Sequence, residues 1–177
     1  MKKMIVLTGS LFLLMSLCTV SVTAQSFKKL SIGKSGCSLY SYCEIYLFDE
    51  SKSPDSSTIY MGECNNDNII YGTICVKLLE AFEDLKVAEN VLQSYMDYLK
   101  NNFKITSATG YGLGHRLQNS EQTRGIIDYW KDDQQRNWKV KGWTNGKFLT
   151  VMYAYGKKEL PESKVNVFLD GFRFPEK

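Results

Sequence analysis

The chain has 177 residues, and 22 basic against 19 acidic side chains leave a net charge of only +3. So weak a balance argues against the electrostatic attraction on which nucleic-acid and anionic-membrane binding depend. With 44% hydrophobic residues the chain can close one sizeable core, and at this length one domain is the default.

The first 24 residues carry the pattern of an export signal. Lys2 and Lys3 form a basic start, Ile5 to Leu17 an apolar run, and Val22-Thr23-Ala24 a small-residue cleavage site before Gln25. Leu17 is too large for the residue before a lipid-modified cysteine, so Cys18 is expected to leave with the peptide. Removing 24 of 177 residues leaves 153, with 20 basic and 19 acidic side chains. No later apolar run approaches the roughly 20 residues of a spanning helix. The expected destination is periplasmic or secreted, with no membrane insertion after signal cleavage.

Residues 25–36 are polar and rich in Gly, Ser and Lys, and read as a flexible lead-in to a single domain over 37–177. Four cysteines remain, Cys37, Cys43, Cys64 and Cys75, and an even count in an exported chain favours two disulfides over free thiols. No Cys-x-x-Cys spacing supports a metal site. Of the possible pairings, Cys43 with Cys64 and Cys37 with Cys75 is preferred, because a hairpin centred on the Pro54 loop sets positions 43 and 64 opposite each other.

From Ser38 to Phe48 the residues Leu39, Tyr40, Tyr42, Ile45, Tyr46, Leu47 and Phe48 supply the content of a strand. Asp49 to Ser57, with Pro54 and four serines, breaks it. Thr58 to Cys64 and Ile69 to Leu79 read as two further strands joined by the turn-forming Asn65-Asn66-Asp67-Asn68. Between Glu83 and Asn102, Leu85, Ala88, Val91, Leu92, Tyr95, Met96 and Leu99 recur at three and four, which predicts the long helix. Glu83 and Asp84 suit its first turn and Lys100 its last.

The last third is mostly strand. Trp138-x-Val140 and Leu149-x-Val151-x-Tyr153 flank Asn145-Gly146, a strong hairpin signal. With Thr144 facing Lys147, Val140 opposes Val151 and Trp138 opposes Tyr153. A preceding strand, Thr123 to Lys131, is expected to set Ile127 opposite Val140, Tyr129 opposite Trp138 and Asp128 opposite Lys139. One face then collects Ile127, Tyr129, Trp138, Val140, Leu149, Val151 and Tyr153 as a core wall. Pro161 suits the first turn of a closing helix with Val165, Phe168 and Leu169 on its apolar side, Gly171 its cap, and Phe172 and Phe174 tuck the end onto the domain. Strands, a helix, strands again and a short helix predict an α+β domain with an antiparallel sheet.

The opposite sheet face supplies the candidate binding residues Trp130, Lys139, Lys141, Trp143, Phe148 and Met152. Large aromatics beside charge suit a recognition surface; the same rings would equally form a second core layer if a helix or the N-terminal strands cover them. The candidate groove is Gly110, Gly112 and Gly114 followed by His115, the only histidine. Its Gly-x-Gly-x-Gly spacing lacks the form of a dinucleotide loop and opens no helix. Alternate glycines leave room either for the long helix to cross or for a ligand to reach the backbone. No serine sits in a Gly-x-Ser-x-Gly elbow, Asp132-Asp133 and Glu83-Asp84 are explained by a turn and a helix start, and the Asn65 to Asn68 cluster lacks the spaced ligands of a calcium loop. No catalytic residue, metal or cofactor is assigned.

The mid-chain helix, the hairpin Trp138 to Tyr155 and the closing Pro161 to Phe174 together resemble the PsbP-like α+β fold over roughly 83–174. The resemblance implies a partner-binding or assembly-assisting role and carries over no catalytic residues. The expected function is therefore that of an exported, non-catalytic protein that binds another protein or a small ligand. Alternatives are an immunity or inhibitor protein directed at a periplasmic toxin or hydrolase, and a small hydrolase using His115.

Overall fold

In the computed structural model the described residues are 27–45, 47–110 and 112–176; the export-signal pattern lies outside them. Ten strands and two helices follow in the order β1 (Lys28–Ser31), β2 (Ser38–Ser41), β3 (Asp49–Lys52), β4 (Thr58–Asn66), β5 (Ile69–Lys77), α1 (Leu85–Asn102), β6 (Ile105–Ala108), β7 (Gly112–His115), β8 (Arg124–Asp132), β9 (Asn137–Thr144), β10 (Phe148–Gly156) and α2 (Glu162–Leu169). The fold is α+β. Eight antiparallel strands form the main sheet in the order β3-β4-β5-β10-β9-β8, with β6 and β7 both pairing along the outer edge of β8. β1 and β2 make a separate hairpin. No helix among the described residues is long and apolar enough to cross a membrane.

Local chemistry explains the elements that the sequence predicts well. Asp67 and Asn68 both adopt positive φ, 56° and 61°, as the tight turn between β4 and β5 requires. Asp84 caps α1, its carboxylate accepting from the Lys86 amide at 2.8 Å. Ala88, Leu92, Met96 and Leu99 then form one buried stripe along the helix.

The central strands are buried on both sides, since every residue from Trp138 to Thr144 and from Phe148 to Ala154 is buried. One face packs under α1, where Leu92, Met96 and Leu99 meet Ile74, Ile126, Trp130, Trp138, Val140, Val151 and Tyr153. The other lies under α2 and the β1–β2 hairpin, where Val165, Phe168 and Leu169 join Leu39, Tyr71, Trp143, Met152 and Phe172. The helix α1 packs directly on the sheet at Gly142, where a Cβ would stand 2.9 Å from Met96 Sδ and 3.0 Å from Leu92 Cδ1. Helix packing therefore requires a glycine at Gly142, whereas at Gly110 and Gly114 an added Cβ would meet nothing.

Five expectations need correction. Residues 25–36 are not a loose lead-in over their described part: they contain β1, and Ile32 is fully buried. The first predicted strand stops at Ser41, and Asp49–Lys52, read as a break, pairs with β4. The hairpin after β9 closes through Asn145 to Phe148, with Thr144 opposite Leu149 and Val140 opposite Tyr153. Asn145 Oδ1 holds this wider loop by accepting from the Lys147 and Phe148 amides at 3.1 and 3.0 Å. That shift of two residues keeps each side chain on its predicted face. β8 pairs one residue away from expectation, with Asp128 opposite Val140 and Trp130 opposite Trp138, and a one-residue slip exchanges the faces. Trp130 and Ile126 thus enter the α1 core, while Tyr129 is 45% exposed on the other side. The reason is polar pairing. Asp128 accepts from the Trp130 indole at 2.6 Å and meets Lys100 of α1 at 3.2 Å, and Asp132 accepts from the Trp138 indole at 2.8 Å.

The fifth correction concerns cysteine. Cys43 and Cys64 are bonded, as expected, with Cα atoms 5.9 Å apart. Cys37 and Cys75 are brought together by the fold but are free, buried thiols here rather than a second bond.

The stripe on α1 makes a direct prediction. Met96→Ala, at a fully buried site, costs about 3 kcal/mol of stability in urea unfolding, whereas Val87→Ala on the exposed side stays within about 0.5 kcal/mol. Equal effects would contradict the assignment of faces.

Candidate functional site

The sheet face proposed as a recognition surface is covered. Met152 is fully buried, and Trp130, Lys139, Lys141, Trp143 and Phe148 are 7% exposed or less. Of the two readings that the sequence left open, the second core layer is the one found, with Trp130 displaced to the α1 side by the register of β8. The Trp143 indole donates to the Leu169 carbonyl at 3.1 Å, and Phe148 packs near Phe174 with ring centres 6.3 Å apart.

Two lysines on the same face explain the mixed composition that the sequence shows. Lys139 pairs with Glu162 in the first turn of α2, and Lys141 donates to both oxygens of Asp170, just beyond its last turn, at 2.8 Å each. Their stems cover apolar surface while their ammonium groups meet carboxylates at the two ends of the helix. The hydrogen bond from Lys139 holds the Glu162 carboxyl below its ordinary range against the opposing effect of burial. Burial would lower the Lys139 ammonium, but hydrogen bonds with Glu162 and Tyr129 outweigh it and hold that group above its ordinary range.

The glycine run behaves differently from either expectation. Gly110 and Gly114 have positive φ, 102° and 76°, and open space where a Cβ would stand, so backbone conformation rather than close packing calls for glycine. The Gly114 amide donates to Glu89 of α1 at 2.8 Å. At Gly112 the neighbour is His115, whose Nε2 lies 2.7 Å from the position of an added Cβ.

What the structure does bring together is His115 from the groove and Lys141 and Trp143 from the sheet. They line one cleft of about 530 Å³ between the β7–β8 edge, the end of α2 and the β1–β2 hairpin. Its remaining walls come from residues that the sequence analysis did not name as site candidates: Phe27, Tyr40, Arg116, Gln118, Asn119, Ile127, Val167, Asp170, Gly171 and Arg173. These are scattered from residue 27 to residue 173, so no local motif could have flagged them. The strongest local sign is structural: Gln118 and Asn119 are consecutive non-glycine residues at positive φ, 52° and 60°.

Arg173 is the central cation. Its guanidinium donates to the carbonyls of Asp170 at 2.8 Å and Phe172 at 2.6 Å, and it lies 5.3 Å over the Tyr40 ring. With its amide oxygen turned inward, Gln118 accepts from the same guanidinium, at 2.8 Å from Nε. All of these acceptors are neutral. Among the described residues the cleft's one carboxylate, Asp170, is engaged by Lys141, while Arg116 pairs outward with Glu121 at 2.6 Å. The lining therefore carries three permanent cations against one acid, beside the rings of Phe27, Tyr40 and Trp143. Among the described residues no serine, threonine or cysteine lines this cleft, so His115 has no side chain of those three types there to activate.

The clamp on α2 predicts a pH dependence. Because the folded-state pKa of Glu162 is depressed, its contribution is present above the ordinary value of 4.5 and fades as pH falls through the folded value. Glu162→Gln therefore lowers Tm at neutral pH, and the gap from wild type narrows as pH falls below 4.5. A gap independent of pH would contradict the pairing. The chain matches no family model and no curated protein, and the reading of the cleft rests on its own geometry.

Proposed function

We propose that this is an exported, non-catalytic binding protein whose cleft receives an acidic group of another protein. The observation that carries this reading is Arg173: a guanidinium held at the cleft by neutral acceptors, with no ion-pair partner among the described residues. An ionised partner gains a charge-assisted, geometrically defined contact from such a group. Phe27 and Tyr40 supply aromatic area beside it, the combination that concentrates binding energy in interfaces. The export-signal pattern together with the Cys43–Cys64 bond supports a periplasmic or secreted setting, since such bonds persist in oxidising compartments. A PsbP-like origin would point to the same kind of role. That no serine, threonine or cysteine lines the cleft beside His115 among the described residues weighs against a hydrolase built on such a pair.

The test is retention of cell-envelope and secreted proteins on the immobilised chain. Wild type retains a specific partner that elutes as salt rises, Arg173→Gln weakens retention by about tenfold, and Val87→Ser on the far side of α1 leaves it intact. Equal retention by wild type and Arg173→Gln, or none by wild type, would overturn the proposal.

A further inference from the structure

A second groove, of about 920 Å³, adjoins the cleft and shares Tyr40, Gln118 and Arg173 with it. Cys37 lines this groove together with Lys29, Lys34 and Gly36. Gly33 packs against the Tyr60 ring, 2.7 Å from the position of an added Cβ, and Tyr60 lies directly opposite Cys75 across the β4–β5 ladder. The turn between β1 and β2 is therefore laid over Cys75. It is held in shape by the Ile32 amide donating to the Cys37 carbonyl at 2.9 Å and the Cys37 amide donating to the Ser35 hydroxyl at 3.0 Å. The two thiols, 1% and 0% exposed, lie in one buried cluster and close enough to interact.

We propose that Cys37 and Cys75 are an oxidisable dithiol, reached from the basic groove by an anionic disulfide of the glutathione class, whose closure bolts the β1–β2 hairpin to the main sheet. Cys37 is the attacking sulfur. Its interaction with the Cys75 side chain holds its thiol below the ordinary range against the opposing effect of burial, with Ser35 and Lys77 assisting, whereas Cys75 is raised. The Cys37 thiolate attacks one sulfur of the disulfide, forming a mixed disulfide and releasing one glutathione thiolate. The Cys75 thiol then loses its proton and its sulfur attacks that of Cys37, closing the Cys37–Cys75 bond and expelling the second glutathione. Two cysteine thiols lose two electrons in all, one glutathione disulfide gains them, and both protons end on the two released thiols. Lys29 and Lys34 suit the carboxylates of such an oxidant, and neither step needs a ligand in the neighbouring cleft, so failure of the binding proposal leaves this one standing.

The experiment equilibrates the full chain with a series of oxidised to reduced glutathione ratios, quenches in acid, alkylates under denaturing conditions and maps the labelled peptides by mass spectrometry. Labelling of Cys37 and Cys75 falls together by about tenfold or more across the series, and a peptide cross-linked through Cys37 and Cys75 appears. Cys75→Ser stops the reaction at a glutathione adduct on Cys37. Persistent labelling of Cys37 and Cys75 under conditions that protect Cys43 and Cys64 would overturn the proposal, as would an adduct forming on neither cysteine of the pair.

Discussion

Two-sided burial of the central strands is the constraint on which the rest of this structure depends. From Phe148 to Ala154 consecutive residues are buried, so side chains of both parities leave water. An antiparallel sheet ordinarily leaves one face solvated; this one needs two covers. The helix α1 supplies the first. The second is assembled from the two ends of the described chain, α2 and the β1–β2 hairpin, which meet where Ser38 and Arg173 exchange backbone hydrogen bonds of 3.0 and 2.7 Å. Hydrophobic burial provides the stabilisation on this face. The Lys139–Glu162 and Lys141–Asp170 pairs add little net energy by comparison, because desolvation offsets their attraction, but they fix where each end of α2 lies.

The same constraint moves function to the rim. A covered face cannot be a recognition surface, and the aromatic and basic residues that make β9 conspicuous in the sequence are occupied in holding α2. The cleft forms where the second cover falls short of the β7–β8 edge, so it inherits Lys141 and Trp143 from the sheet, His115 from the edge strand and Arg173 from the segment after α2. Its hairpin wall is tied down by Cys43–Cys64 just beyond β2 and lies over Cys75 at the other end.

Much of this was legible in the sequence for identifiable reasons. α1 has a single clear period, and the β4–β5 and β9–β10 pairs are flanked by residues that tolerate positive φ. The register of β8 was not legible because Ile126 and Ile127 are both apolar and Tyr129 and Trp130 both aromatic, so either parity gives an acceptable core. What selects between them is the reach of Lys100 from α1 to Asp128, a contact between separate elements. β1 was missed because Lys28-Lys29-Leu30-Ser31 has no apolar alternation; it is a strand through its backbone pairing with β2. The cleft was half visible, in His115, Lys141 and Trp143. Phe27, Tyr40 and Arg173 join them only once the two ends of the described chain meet.

All three tryptophans are 3% exposed, two under α1 and one under α2. The most direct measurement is therefore quenching of tryptophan fluorescence in the folded protein by iodide. Burial under two covers predicts blue-shifted emission with quenching far below that of the unfolded chain. Red-shifted emission, or quenching close to that of the unfolded chain, would show an open sheet face and contradict the account.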